Sequence, residues 1–130
     1  MYIELKEIDK DTLKVGDVVG VARPIQLGYR SSFRHNRIVP AIITRITPKR
    51  TKFVTDKFGD HDRYEIFYEW NFNAKKENEL AEEFRQISDG VYDLFEFKRR
   101  GLSRINDEDL PEVAEHMKAI TEILQKYKEK

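Results

Sequence analysis

The chain has 130 residues, 24 basic and 24 acidic side chains with a formal net charge of zero, and no cysteine. That length suits one ordinary domain able to bury roughly two-thirds of the surface its unfolded form exposes, and eight Phe, six Tyr and one Trp argue against disorder. The missing cysteines exclude disulfides, thiolate nucleophiles and zinc–thiolate sites, which fits a reducing, cytoplasmic compartment.

Neutrality hides a charge separation. Met1 to Asp17 carries three basic and five acidic residues, and Asp56 to Lys130 carries thirteen and nineteen. Between them, Val18 to Thr55 holds no acid and eight cations: Arg23, Arg30, Arg34, Arg37, Arg45, Lys49, Arg50 and Lys52. The N-terminus lacks the basic and apolar regions of a secretion signal, and Ile38 to Ile43 is too short to span a bilayer, so no membrane association is expected.

In chain order, Gly16 and Asp17 signal a turn before a short β-rich run, Val18 to Ala22, in which Gly20 suggests a bulge or a close backbone approach. Arg23 to Arg37 reads as a long loop, within which Ile25 to Leu27 or Ser32 to Arg34 are possible short strands. Ile38 to Thr47 is the clearest strand. Alternation places Ile38, Ile42, Thr44 and Ile46 on one face and Val39, Ala41, Ile43 and Arg45 on the other, with Pro40 pushing the strand towards an edge or bulge. Pro48 favours a β-turn over Thr47 to Arg50. The return strand, Lys52 to Thr55, then sets Phe53 opposite Ile46 and Thr55 opposite Thr44. The expected buried ladder is Ile42, Ile46 and Phe53. After a turn at Phe58 to Asp60, Arg63 to Trp70 alternates as a strand with Tyr64, Ile66, Tyr68 and Trp70 on one face and Glu65, Phe67 and Glu69 on the other.

Beyond Trp70 the period lengthens. Asn73 is a candidate N-cap for a helix from Ala74 to Ile87, striped by Leu80, Ala81, Phe84 and Ile87 and ended by Ser88 to Gly90. Val91 to Lys98 reads equally as helix or strand. From Leu110 to Lys128, Val113, Met117, Ile120, Leu124 and Tyr127 recur at three- and four-residue spacing, and Asp107, Glu108, Asp109 and Glu112 suit a helix N-terminus. One domain is expected over 1–130, with a β part over 1–72 and a helical part over 73–130.

The runs Leu13 to Val19, Ile43 to Thr51 and Thr55 to Gly59, with Arg63 and Tyr64, resemble small SH3-like β-barrel proteins common in bacteriophage genomes. Asp109 to Gln125 resembles the helical extension that such proteins often carry. The resemblance covers residues 13–70 and implies an α+β fold, an SH3-like antiparallel barrel followed by two or three C-terminal helices, and a phage origin. It implies no site.

Phosphate backbones are the natural partner of the basic stretch, because each neutralised phosphate releases counterions. The candidate nucleic-acid-binding residues are Arg30, Arg34, Arg37, Arg45, Lys49, Arg50 and Lys52, with Tyr29 and Phe33 placed to stack on DNA or RNA bases. The bland alternative is that the basic strands face the chain's own acidic helices and that Tyr29 and Phe33 pin the loop to the core. A third reading is a protein-binding module that occludes a host protein's surface, a counter-defence inhibitor, its acidic C-terminal part mimicking nucleic acid. A homodimer through the Val113 to Tyr127 stripe is also open. Enzyme signals are poor and no cofactor is implied. Asp56, Asp60, His61 and Asp62 match no calcium-loop spacing, His35 and His116 lack a recognisable partner, Glu65 and Glu69 read as outward strand positions, and Glu112, Glu115 and His116 miss the Glu-x-x-His pattern of a di-metal bundle.

Overall fold

The computed structural model describes residues 2–128. It is α+β, with antiparallel strands followed by two long helices, and it divides into two compact units, Met1–Ser88 and Asp89–Lys130.

The first unit is built on seven strands: β1 (Val18–Arg23), β2 (Gln26–Gly28), β3 (Ser31–Ser32), β4 (Arg37–Ile46), β5 (Lys52–Thr55), β6 (Gly59–Asp62) and β7 (Phe67–Tyr68). Five form one sheet in the order β6-β5-β4-β1-β7, while β2 and β3 pair as a separate ribbon inside the long loop. The stretch expected as a long loop, with Ile25 to Leu27 or Ser32 to Arg34 as the candidate short strands, thus holds two, β2 one residue later than the first candidate and β3 sharing only Ser32 with the second. No ladder joins β6 to β7 among the described residues. The outer side of β7 is covered instead by the N-terminal segment, through Ile8 N–H to Phe67 O at 2.8 Å and Glu69 N–H to Lys6 O at 2.8 Å.

Strand β4 organises the sheet. It pairs with β1 from Arg37 to Ile42 and with β5 from Ile43 to Ile46, and its register shifts between Ile43 and Arg45. That irregularity corrects two expectations. Thr55 lies opposite Ile43 rather than Thr44, although Ile46 does face Phe53. The buried residues are Ile38, Ala41 and Ile43, whereas Ile42 is 43% exposed. Strict alternation would have put Arg45 on the Ile43 face, in the core. A bulge at Thr44 breaks the period once, so Arg45 turns outward while Ile46 returns to the core side.

Pro40 sits in a central strand without disrupting it. Ile38 and Ile42 direct their N–H groups away from β1, to Asn78 Oδ1 and Asp56 Oδ1, each at 2.9 Å. Pro40 shares their parity, so its missing donor falls on a side that β5 does not reach. Gly20, opposite Pro40, is required by close approach: a Cβ there would lie 2.9 Å from Ile38 Cγ2 and 3.1 Å from Tyr68 O.

The core gathers Leu13, Val19, Val21, Ala41, Ile43, Phe53 and Phe67. Phe53 and Phe67 meet edge to face with centroids 5.9 Å apart, and full burial of a side chain of this size is worth about 1.5–3 kcal/mol. Phe67 therefore corrects the expected outward face of the last strand. That strand is also shorter than expected, because Asp62 Oδ1 accepts from the N–H groups of Tyr64 and Glu65 and turns the chain between β6 and β7.

Helix α1 (Phe72–Gly101) starts earlier and runs further than its expected span. Its first turn is capped by Asn71, whose Oδ1 accepts from Ala74 N at 2.9 Å, and not by Asn73. Gly90 does not stop it. A mid-helix glycine costs only about 1 kcal/mol relative to Ala, and the apolar spacing continues from Ile87 through Val91 to Leu94. Val91 to Lys98 is therefore helical.

The second unit takes the end of α1, a short 3-10 turn (Leu102–Arg104) and α2 (Leu110–Lys128), the latter as expected from its periodicity. Between Asp89 and Lys128 no residue is buried, and every residue of α2 is exposed. No helix among the described residues is long and apolar enough to cross a membrane.

Candidate functional site

The eight cations of Val18 to Thr55 separate into two groups once their surroundings are known. Three are committed within the first unit. Arg23 Nη1 donates to Glu65 Oε1 at 2.8 Å, and Arg37 Nε donates to Glu82 Oε1 at 3.1 Å. Arg50 Nη2 donates to the carbonyls of Lys10 and Leu13, its guanidinium 5.6 Å from the centre of the Phe53 ring and its Nε buried. Arg50 also adopts a φ of 55°, which places it in the left-handed region and turns its side chain back over the core.

Arg30, Arg34, Arg45, Lys49 and Lys52 have no acidic partner within 4.0 Å among the described residues. They are not one patch. Arg30 and Arg34 flank β3 in the loop before β4, whereas Arg45, Lys49 and Lys52 gather where β4 turns into β5. The eight residue steps of extended β4 from Arg37 to Arg45 set the ends of that strand roughly 25 Å apart. The two aromatic candidates also differ. Tyr29 is 87% exposed, with the Arg30 guanidinium 5.1 Å from its ring centre. Phe33 stacks on Phe84 of α1, with centroids 3.9 Å apart and planes 8° from parallel, so its ring holds the loop to the helix.

Two buried polar networks connect loops to the sheet and helix. In the first, Thr55 Oγ1 lies 2.9 Å from His61 Nε2, His61 Nδ1 lies 3.2 Å from Glu65 Oε1, and Glu65 holds Arg23. His61 also packs edge-on against Phe67 and Phe58. Glu65, expected to point outward, is instead the joint of this network. Asp60 and Asp62 lie exposed on either side of buried His61, and no group of three potential ligands gathers around a metal-sized space among the described residues.

The second network was not visible in the sequence. His35 Nδ1 lies 2.7 Å from Glu77 Oε1, and Glu77 Oε2 accepts from the backbone N–H of Asn36 at 2.8 Å. Both side chains are buried. They border a polar cleft of about 350 Å³ that is also lined by Arg34, Glu7 and Tyr68. Burial, then the neighbouring Glu7, Tyr2 and Glu65 charges, hold the Tyr68 hydroxyl above its ordinary pKa. A His–carboxylate pair activates a nucleophile when a hydroxyl or thiol stands within hydrogen-bond reach. The hydroxyls in the cleft lining are those of Tyr2 and Tyr68, and His35 itself bonds to Glu77, which ties the loop to α1. Residues 35 and 77 lie 42 positions apart, and no local pattern in the chain links them.

A further cationic group, Lys98, Arg99, Arg100 and Arg104, surrounds the turn that ends α1. Glu96 engages Arg99 and Arg100 at 3.1 and 3.8 Å. The run Lys98 to Arg100 marks this group in the sequence, where the acidic balance of the C-terminal segment masks it. His116 lies 3.8 Å from Glu112 on exposed α2, an ordinary i,i+4 pair. No family model matches the chain, and no curated protein or solved structure matches it either.

Proposed function

We propose that the protein is a non-enzymatic nucleic-acid-binding protein of phage type, built as an SH3-like barrel with a helical extension. The barrel reading is supported by β4, which pairs with β1 from Arg37 to Ile42 and with β5 from Ile43 to Ile46, its register shifting between Ile43 and Arg45. Such a strand is how a five-stranded sheet curls back towards itself.

The binding reading is carried by one observation: within a stretch free of acids, five cations keep no acidic partner, and exposed Tyr29 sits beside Arg30. Phosphates are contacted by Arg45, Lys49 and Lys52 at the β4–β5 turn and by Arg30 and Arg34 in the loop, while Tyr29 stacks on a base. Arg37, Arg50 and Phe33 hold the fold instead. Fluorescence anisotropy with labelled single-stranded and duplex oligonucleotides tests this. With four or five phosphate contacts, log K falls against log salt with a slope of about −3 to −5. Absence of binding to DNA and RNA at low salt overturns the reading.

A second reading, a protein-binding or inhibitory module acting on a host factor, is favoured by the apolar side chains left exposed on both helices of the second unit. A nuclease-treated lysate passed over the immobilised chain would yield a stoichiometric partner; an empty lane counts against it.

A further inference from the structure

The helical second unit is incomplete as it stands. On α2, Leu110, Val113, Met117, Ile120, Leu124 and Tyr127 are between 39% and 67% exposed. On the end of α1, Val91, Leu94, Phe95 and Phe97 are between 42% and 62% exposed. An apolar groove of about 470 Å³ runs between Leu94, Phe95 and Leu102 on one side and Leu110, Val113 and Met117 on the other. Helical stability in water comes mainly from packing an apolar face, so the end of α1 and all of α2, where no residue is buried, lack their stabilising contact.

We propose that a second copy of this chain supplies that contact, the two hairpins joining as a four-helix bundle in which the α2 helices run antiparallel. The intervals along the α2 stripe are three, four, three, four and three residues, a 3.5-residue repeat of the kind that forms a helix–helix seam. The series reads the same in both directions. A two-fold axis between Met117 and Ile120 therefore sets Met117 opposite Ile120, Val113 opposite Leu124 and Leu110 opposite Tyr127, a self-complementary surface of the sort a symmetric dimer requires.

Charge selects the direction. Residues 107–116 contribute Asp107, Glu108, Asp109, Glu112 and Glu115 and no Lys or Arg, while Lys118, Lys126 and Lys128 are the cations of the remaining described residues. Antiparallel pairing sets the acidic start of one α2, with Asp109 and Glu112, level with the Lys126 and Lys128 end of the other; parallel pairing sets the acidic ends side by side. Glu115 and Glu122 lie on the outer side of the helix, away from the seam. The exposed apolar area on each copy is on the order of several hundred Å², approaching the ~800 Å² per partner of a standard interface.

The absence of native cysteine makes a direct test possible. Val113→Cys and Leu124→Cys chains, purified separately and mixed under oxidising conditions, are expected to form a disulfide-linked pair. The Val113→Cys chain alone is expected not to, because the two-fold axis separates its thiols by roughly 16 Å along the helix. Light scattering on the unmodified chain is expected to give the mass of two copies. Ile120→Glu is expected to raise the dissociation constant about a hundredfold or more, with the near-ultraviolet signal of the sheet core retained. Efficient self-linking of Val113→Cys overturns the antiparallel arrangement. A single-chain mass at high micromolar concentration overturns the second copy altogether, and capture of a host protein by that monomer would give the hairpin to a different occupant. Oligonucleotide binding by an Ile120→Glu monomer separates this inference from the nucleic-acid reading.

Discussion

His35 Nδ1 stands 2.7 Å from Glu77 Oε1, and this contact joins the loop before β4 to the first turns of α1. The same carboxylate accepts the Asn36 backbone N–H, and Phe33 stacks on Phe84 nearby. A loop that reads as free and basic in the sequence is therefore fastened at its C-terminal end, leaving Tyr29 and Arg30 at its exposed tip.

Removing Glu77 should loosen that end. Glu77→Ala leaves the buried His35 imidazole and the part-buried Asn36 N–H without their carboxylate partner, and an unsatisfied buried polar group costs about 1–3 kcal/mol. Urea unfolding should show this loss, while Glu79→Ala, one turn face away with its side chain 60% exposed, should change stability by no more than about 0.5 kcal/mol.

Lys49 and Arg50 are neighbours with opposite expected roles. Arg50→Ala removes two hydrogen bonds to the carbonyls of Lys10 and Leu13 and should cost about 2 kcal/mol of stability. Lys49→Ala should leave stability within about 0.5 kcal/mol but reduce the magnitude of the oligonucleotide salt slope by about 1. Equal effects of the two on binding at a temperature where both are folded would contradict the division of the cations.

Gly20→Ala should destabilise by about 1–3 kcal/mol through overpacking, because the new Cβ would lie 2.9 Å from Ile38 Cγ2. The penalty should shrink when Ile38 is replaced by Ala, since the colliding methyl is gone. A double-mutant cycle from chemical denaturation measures the coupling.

Tyr68 should shape the alkaline limb of stability. Its ordinary value is 10.0, and in the fold it is raised, chiefly by burial. Below that value both folded and unfolded chains keep the proton and nothing changes. Above it the unfolded chain ionises first, so the folded state binds more protons and stability falls as pH rises through the folded value. Tyr68→Phe should flatten this limb in thermal melts from about pH 10 upward.

The sequence by itself determined the α+β class, the β4–β5 hairpin with Ile46 against Phe53, a bulge or close approach at Gly20, and α2 from end to end. Each rests on a local signal: alternation, a proline turn, a glycine, or a helical repeat. What only the tertiary structure decided lies where one local rule competes with a distant contact. Ala41 and Ile43 share the buried face and Ile42 the exposed one, and the irregularity at Thr44 then returns Ile46 rather than Arg45 to the core side, because alternation carries no memory of an inserted residue. The helix passed through Gly90 because a weak local penalty met a continuing apolar stripe. The division of the cations was equally out of reach. Whether an arginine meets Glu65, Glu82, a backbone carbonyl or water depends on partners some forty residues away, which spacing along the chain does not encode.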